Sequence, residues 1–305
     1  MAPVRSADHR RGHLKAAPGG IAVANRTQEN LTTGLAEFGF AVRDGATRLA
    51  HLYQHDPMRV LFPAPEPGDC RLAVLVTTSG GLVAGDRVSI AVDLEPGAAA
   101  HVTASAAEKI YRSEGATTEI DQTLSIAEGA WLEYLMPETI LFDGARLRRR
   151  TEVALTPGGG FLGGGILVFG RRARGEGLTH GLLHEGCEVH RGGRLVWGDA
   201  LHIADEVPGV MADPACFDSA AACATLILAP PDGDPRRLVE GARGVQQQRL
   251  SPGLRGGVTA VGGLLLARWL AADPLVLRRA FADLACHLRA AAMGLPPHLP
   301  RLWHI

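Results

Sequence analysis

Apolar and polar residues alternate with a period of two through much of the chain. Between residues 74 and about 202, short apolar segments are separated by turns that contain glycine. The alternation is clearest in two segments, with apolar side chains at Val88, Ile90, Val92 and Leu94 and at Ile120, Leu124 and Ile126. A period of two predicts β-strands that each bury one face.

The turns recur at a nearly constant interval. A glycine follows an apolar strand end at Gly97, Gly129, Gly158 and Gly192, which are 32, 29 and 34 residues apart. Such a step favours stacked strand layers, in which each unit buries its apolar face on its neighbours. A β-sandwich with irregularly placed glycine turns is the alternative. The predicted fold is mainly β, with β-helix-like stacked strand layers and two C-terminal α-helices.

The two helices are predicted from capping signals in the last third of the chain. Asp234-Pro235 and Asp273-Pro274 each place a capping carboxylate before a proline that suits the first helical turn. In the second helix, which Gly294 ends, four apolar residues fall on one face: Leu277, Phe281, Leu284 and Leu288. We expect this face to pack on the β stack, with Arg278, Arg279 and Arg289 facing solvent or a partner. Residues 258–270 indicate one buried strand.

Composition narrows the class of protein. Of the 305 residues, 46% are hydrophobic and 21% are charged, which gives enough apolar surface for one large core. The formal net charge is -1, so no overall field would attract nucleic acid. The five cysteines are widely spaced and form no CxxC pair, which argues against a disulfide framework and a structural zinc site.

The chain shows no targeting signal. The basic residues near the N-terminus are not followed by an apolar run, and no apolar stretch is long enough to cross a bilayer. We therefore expect a cytoplasmic protein without membrane contact. Residues 1–30 are expected to form a flexible tail, and residues 31–305 a single β-rich domain.

A glycine-rich segment, Ser79-Gly-Gly-Leu-Val-Ala-Gly-Asp86, lies between two predicted strands. It lacks the Gly-Lys-Ser/Thr ending of a P-loop, and no amphipathic helix follows it as a dinucleotide fingerprint requires. Gly80, Gly81 and Gly85 are therefore expected to form a tight connection with positive φ angles.

Two further segments carry charge. Ser105 and Glu108 have the spacing of a capping box, which predicts a helical turn that presents Lys109 and Arg112 together. That turn would be either an anion or partner contact or a solvated basic corner. Farther along, carboxylates at positions 138 and 143 follow a predicted strand. Paired carboxylates can do acid–base work or bind a cation through oxygen, and surface carboxylates without a site are the alternative.

A cluster of metal-binding residue types follows at His180, His184, Cys187 and His190. Histidines four residues apart can share a metal on a helix, but two glycines within the segment disfavour a helix there. On a strand, His184 and His190 would share one face and Cys187 the other. A metal-dependent hydrolase that uses the three histidines is the alternative function. A carbohydrate-binding module is disfavoured, because aromatic residues make up only 5% of the chain.

The order of the short motifs is more specific than any one of them. They are Thr47-Arg-Leu49, Leu52-Tyr-Gln54, Arg59-Val60 with Phe62-Pro63, Gly80-Gly81 to Asp86, Ala106-Ala-Glu-Lys-Ile-Tyr-Arg112, Glu138-Thr-Ile-Leu-Phe-Asp-Gly-Ala-Arg146, Gly170-Arg-Arg-Ala-Arg-Gly-Glu176 and Pro300-Arg-Leu-Trp303. This series resembles the urease accessory protein D family, also called UreD or UreH, from about Leu35 to the C-terminus.

The resemblance implies a non-enzymatic scaffold in urease maturation. It implies a β-rich stack with two helices that binds accessory protein F, which recruits the GTPase accessory protein G onto apo-urease for nickel incorporation. The missing P-loop agrees with this, because GTP hydrolysis would then come from a partner. The helix from Pro274 to Met293 is a candidate support for the accessory F interface.

Nickel chemistry suggests which residues could take part. Imidazole and thiolate bind nickel tightly, whereas a conduit needs weaker oxygen ligands. We therefore expect no intrinsic cofactor and no tightly bound metal, with Ni²⁺ passing only transiently. The hypothesised residues of an internal nickel path are Asp86, Glu138, Asp143 and Glu176. The candidate motif or partner contacts are Gly80, Gly81, Gly85, Lys109, Tyr111, Arg112 and Arg171.

Overall fold

The computed structural model describes residues 33–204 and 206–304, and strands are their main element. In chain order the strands are β1 (Thr33–Arg43), β2 (Ala46–His55), β3 (Met58–Leu61), β4 (Arg71–Thr77), β5 (Arg87–Leu94), β6 (Ala99–Ala104), β7 (Glu108–Ile110), β8 (Thr118–Ile126), β9 (Trp131–Leu141), β10 (Arg146–Leu155), β11 (Gly160–Phe169), β12 (Leu182–Arg191), β13 (Arg194–Ala204), β14 (Ala222–Ala229), β15 (Leu254–Val261) and β16 (Leu264–Ala271). The tail expected over residues 1–30 lies outside the described residues.

The helices occupy much less of the described chain. They are α1 (Val207–Ala212), α2 (Arg236–Arg249) and α3 (Pro274–Met293), with two short 3-10 helices at Arg172–Arg174 and Arg301–His304. Within the described ranges, no helix is both long and apolar enough to cross a membrane.

The strands form two sheets. The first sheet has the order β13-β12-β10-β8-β5-β1-β2, and the second has the order β15-β16-β14-β11-β9-β6-β4-β3, with β7 beside β9. From β4 to β12 the chain passes back and forth between the sheets, and the successive strands within each sheet are parallel. This winding confirms the predicted stack of strand layers.

Three of the four predicted glycine turns carry the chain from the first sheet to the second. Gly97, Gly129 and Gly158 have φ angles of 73°, 67° and 82°, which a residue without Cβ adopts at little cost. The N–H of Gly97 donates to the carbonyl of Glu128 at 3.0 Å, and the N–H of Gly129 donates to the carbonyl of Gly158 at 3.2 Å. The turns therefore stack on one another. Gly192 differs, because it lies in the antiparallel hairpin between β12 and β13 that ends the winding.

The period-two pattern places the core as predicted. Val88, Ile90, Val92 and Leu94 are at most 6% exposed and belong to the apolar cluster between the two sheets. A second apolar cluster fills the space between the outer face of the second sheet and helices α2 and α3. Both faces of the second sheet's central strands β9, β11 and β14 are thus buried, which explains their long apolar runs.

Helix α3 begins and ends at the residues that its capping signals predicted. The carboxylate of Asp273 accepts a hydrogen bond from the N–H of Leu275 at 2.9 Å, and Gly294 ends the helix with a φ of 66°. Leu277 and Phe281 are fully buried against the second sheet. Helix α2 is also present, whereas the short α1 was not predicted.

Two expectations about this region are wrong. Residues 258–270 form the hairpin of β15 and β16 rather than one strand, because Gly262 and Gly263 make a turn with two positive φ angles. Arg289 does not face solvent: its side chain is fully buried and pairs with carboxylates of Glu133 and Asp69. Arg278 is partly buried against Glu138, and Arg279 is exposed as expected.

Candidate functional site

The sequence motifs meet at one edge of the stack, where the chain returns from the second sheet to the first. Four segments make these returns, at residues 78–86, 111–117, 142–145 and 170–181, and we call them together the connection edge. Backbone hydrogen bonds join them in sequence. The N–H of Tyr111 donates to Leu82 at 2.9 Å, the N–H of Ser113 donates to Gly144 at 3.0 Å, and the N–H of Gly144 donates to His180 at 3.0 Å.

The first segment is held by its glycines. Gly80, Gly81 and Gly85 have φ angles of 76°, 146° and 82°, as predicted for a tight connection. A Cβ on Gly81 would lie 2.6 Å from the ring of Tyr111 and 2.9 Å from the carbonyl oxygen of Lys109. The glycine therefore allows the first and second segments to touch.

Asp86 closes the same segment. Its side chain is 1% exposed, and its carboxylate accepts a hydrogen bond from the N–H of Val83 at 2.9 Å. The backbone carbonyl of Asp86 accepts from Glu119 at 2.8 Å. The residue thus fixes the loop onto the next strand, a role in the local fold that the nickel hypothesis did not consider.

Aromatic and cationic side chains link the four segments of the connection edge. The hydroxyl of Tyr111 donates to the carbonyl of Gly80 at 3.2 Å, and its ring meets Phe142 edge to face at 4.8 Å. The guanidinium of Arg171 lies 4.3 Å from the centroid of the Phe142 ring. Two predicted contact residues, Tyr111 and Arg171, are thus joined through Phe142, for which no role was predicted.

Two of the four hypothesised path residues, Asp143 and Glu176, come together at this edge. The N–H of Asp143 donates to the Glu176 carboxylate at 3.3 Å, and Arg171 pairs with the same carboxylate at 2.5 Å. The hydrogen bond from Arg171 lowers the pKa of Glu176. This carboxylate is therefore ionised and held in place near neutral pH.

Asp143 anchors the fourth segment. Its carboxylate accepts hydrogen bonds from the N–H of Thr179 at 2.6 Å and from the N–H of His180 at 3.3 Å. Partial burial opposes ionisation, but the hydrogen bonds from Thr179 and His180 outweigh it and lower the pKa of Asp143. Like Glu176, it carries a negative charge near neutral pH.

Glu138 pairs with α3 and forms no hydrogen bond to the other three hypothesised path residues. The pairing of β9 with β11 shifts by one residue near Met136 and Pro137, and this bulge reverses which face the following side chains occupy. Thr139 bonds to Arg149 between the sheets, whereas Glu138 pairs with Arg278 of α3 at 3.3 Å. Its carboxylate therefore belongs to the helix-covered face.

The predicted helical turn around Glu108 is wrong. Residues 108–110 form strand β7, which pairs with β9 through Glu108 and Thr139, so the tertiary pairing overrides the capping-box spacing. Lys109 is exposed, and Arg112 forms a single bridge with Ala145 at the connection edge. The two cations are therefore not presented together on one helical turn.

The three histidines of the alternative enzyme do not converge. His184 and His190 share the outward face of β12, as predicted, but six strand residues place them roughly 20 Å apart. His180 lies in a loop, with Nδ1 3.2 Å from Asp143, and His190 pairs with Glu188. Among the described residues, no group of three or more His, Cys, Asp or Glu side chains could hold a metal ion.

A polar interior, not predicted from the sequence, lies between the sheets. Two adjoining cavities, of about 130 and about 140 Å³, share lining from Gln122, Met136, Pro137, Thr139 and Arg149. The Nε of Arg149 lies 2.8 Å from both carboxylate oxygens of Glu185. The signal was present, because Arg149 occupies an inward position in the alternating pattern of β10.

Two other side chains give these cavities polar walls. Glu108 lines the second cavity and accepts a hydrogen bond from Thr77 at 2.5 Å, and burial raises the pKa of Glu108. The hydroxyl of Tyr134 lines the first cavity, is buried, and has no hydrogen-bond partner among the described residues. The interior is thus polar enough to accept a small hydrated species.

Comparisons with known proteins match the chain to one family. The family described as UreD urease accessory protein matches residues 32–304. A urease accessory protein UreD of Magnetococcus marinus is 41% identical over 274 residues, covering 89% of this chain and 94% of the relative. A urease accessory protein UreD 1 of Methylobacterium radiotolerans is 40% identical over 262 residues, covering 85% of this chain and 86% of the relative.

Proposed function

Because the chain belongs to the UreD family of urease accessory proteins, we propose that it acts in urease maturation as a scaffold rather than as an enzyme. The observation that carries this proposal is the 41% identity over 89% of the chain. The match spans both sheets and α3, so it includes the whole architecture on which partners would dock. We place this activity in the cytoplasm.

The geometry around His180 supports a role other than hydrolysis. The hydroxyl of Thr179 and the carboxylate of Asp143 both approach Nδ1 of His180, at 3.1 and 3.2 Å. A nucleophile relay needs the hydroxyl and the carboxylate on opposite ring nitrogens. This hydroxyl therefore anchors a loop instead of attacking a substrate.

The finer proposal concerns partners. The chain associates with accessory protein F, which recruits the GTPase accessory protein G, and the assembly incorporates nickel into apo-urease at the expense of GTP. The sequence supports this division of labour, because it lacks the lysine and hydroxyl of a P-loop. With the apolar face of α3 buried, its exposed residues, which are Leu275, Arg279, Ala291 and Met293, are the surface of α3 that remains for accessory F.

Nickel in this scheme is cargo that passes through transient oxygen ligands. Asp143 and Glu176 are the first pair we assign to the path, with Asp86 and Glu138 flanking it. Both members of the pair are ionised near neutral pH, and Arg171 would have to leave Glu176 before an ion could bind. The cavities between the sheets offer internal volume, with Glu108 and Glu185 on their walls.

The test of the general proposal is co-expression of apo-urease with accessory proteins F and G, with and without this chain. We expect the chain to co-purify with accessory F and urease, and the nickel content of urease to fall when the chain is omitted. Full nickel loading in its absence would remove the proposal.

The path is tested separately with Asp143→Asn and Glu176→Gln, singly and together. Asp121→Asn on the exposed face of β8 is the matched control, because it removes a carboxylate from a position outside the path. We expect the double variant to co-purify normally yet deliver less nickel. Normal delivery by the double variant contradicts the path while leaving the scaffold proposal intact.

A further inference from the structure

Two histidines face each other on the outer surface of the first sheet. His184 on β12 is directly opposite His202 on β13, and their ring centroids are 5.6 Å apart. Leu183, which precedes His184, is 1% exposed, and Ile203, which follows His202, is 2% exposed. Both of these side chains point into the core. Because side chains alternate along a strand, both histidines project to the outside.

Both rings are free to bind a ligand. Within the part of the chain that the structure describes, neither His184 nor His202 has a hydrogen-bond or ion-pair partner, and the ring contact of each is with the other. The next facing pair along the strands is Gly186 and Ala200, which are both small. A Cβ at Gly186 would lie 3.6 Å from Nε2 of His184, so this nitrogen lies over the small residue Gly186.

We propose that His184 and His202 form a surface site for a divalent transition metal ion such as Ni²⁺, Zn²⁺ or Cu²⁺. Imidazole suits these ions, and a metal–nitrogen distance of about 2.1 Å places two rings on one ion with their centroids roughly 5 Å apart. The observed centroid separation of 5.6 Å is close to this value. Water completes the coordination.

The surroundings set the strength of this site. Arg148 is the in-register neighbour of His184 on β10, so its positive charge opposes a bound cation, although Glu119 lies opposite Arg148 on β8. Among the described residues, no carboxylate forms a hydrogen bond or ion pair with either ring, and such partners usually strengthen a site. The site is therefore weak and reversible, and it selects for transition metals over Mg²⁺ and Ca²⁺, which prefer oxygen ligands. It does not depend on the proposed role in urease maturation.

The experiment titrates Ni²⁺, as the chloride, into the full chain carrying no affinity tag, followed by calorimetry. Wild type is compared with His184→Ala, His202→Ala and the double variant. His190→Ala is the matched control, because it removes a histidine from the same face of the same strand. We expect each single variant to lose about tenfold or more in affinity for one class of site. The double variant should lose no more than the singles, and the control should bind as wild type does.

A second measurement locates the ion. Paramagnetic Ni²⁺ should broaden the imidazole NMR signals of His184 and His202 before those of the other histidines, and excess Mg²⁺ should not reverse the effect. His184→Gln and His202→Gln, which retain side-chain volume, replace any alanine variant that melts early. Unchanged binding in the double variant, or an equal loss in His190→Ala, would overturn the proposal.

Discussion

Arg289, near the end of α3, donates to Glu133 on β9 with Nε 3.0 Å from Oε1, and neither side chain is exposed. The same guanidinium contacts Asp69 and donates to the carbonyl of Pro296 at 2.7 Å. On the other side of the carboxylate, Nδ1 of His101 lies 2.6 Å from Glu133 Oε2. One buried network thus ties the C-terminal helix to strands β6 and β9.

The first prediction is that Arg289→Met strongly destabilises the fold. The substitution keeps an apolar stem but leaves the carboxylates of Glu133 and Asp69 without their cation. Removing one partner from a buried pair costs about 3–5 kcal/mol. Urea denaturation measures the loss, and Arg279→Met on the exposed side of α3 should change the free energy of unfolding by less than about 0.5 kcal/mol. Equal effects of the two substitutions contradict this role for Arg289.

The second prediction concerns acid stability. Burial alone would raise the pKa of Glu133, but the hydrogen bond with His101 and the charge of Arg289 lower it from 4.5 to about 2. A lowered pKa means that the ionised carboxylate stabilises the folded state above pH 4.5. This contribution is lost as the pH falls from 4.5 towards about 2.

Urea unfolding at several pH values in this window measures that contribution. Relative to Glu133→Gln, which cannot titrate at this position, wild type should lose roughly 3 kcal/mol more on acidification. Glu152→Gln, at an exposed position on the outer face of β10, is the control and should follow the wild-type profile. If wild type and Glu133→Gln follow parallel profiles, the carboxylate of Glu133 is not the group responsible.

Local pattern was sufficient to predict the stack but not its long-range polar contacts. The alternation at residues 88–94 determines which face is buried, and Gly97, Gly129 and Gly158 mark the turns, since both signals arise within a few residues. Arg289 was misplaced because its partner Glu133 is 156 residues away in the chain. Burial of a charge depends on such a partner, which no local period reveals.

The same distinction between local signals and long-range contacts applies to the candidate site. The motifs around Gly81, Tyr111, Asp143 and Glu176 meet because each lies in a connection of the same kind, and stacking brings equivalent connections together. Glu138 was grouped with them because it offers a carboxylate oxygen in the same motif as Asp143. The bulge beside it, one residue in length, turns its carboxylate to the other face of the sheet.

The third prediction compares neighbouring glycines in the first connection. Gly81→Ala forces an unfavourable positive φ and brings a Cβ to 2.9 Å from the backbone oxygen of Lys109. Gly80→Ala also requires a positive φ, at 76° rather than 146°, but its Cβ would have nothing within 4 Å. Gly80→Ala should therefore cost about 1 kcal/mol and Gly81→Ala about 2–4 kcal/mol, measured by thermal or urea unfolding. If both substitutions lowered the free energy of unfolding by similar amounts, the contact with the second segment would not contribute to stability.

The fourth prediction concerns Trp303, which joins the C-terminal segment to both α3 and β6. Its ring stacks on Phe281 at 5.6 Å with the planes 7° apart, and its Nε1 donates to the hydroxyl of Thr103 at 3.2 Å. Trp303→Phe keeps much of the stacking but leaves the buried Thr103 hydroxyl without its donor, at a cost of about 1–3 kcal/mol.

Trp303→Ala also opens a cavity beside Phe281, so the loss should reach about 3–5 kcal/mol. Arg301→Ala, at an exposed position two residues away, should be nearly neutral and serves as the control. Urea unfolding ranks the three variants, and amide exchange along α3 shows whether the helix loosens with them. The order alanine, then phenylalanine, then control follows from stacking and the hydrogen bond acting together. If phenylalanine were as damaging as alanine, the hydrogen bond to Thr103 would be the main attachment of this segment and the stacking would add little.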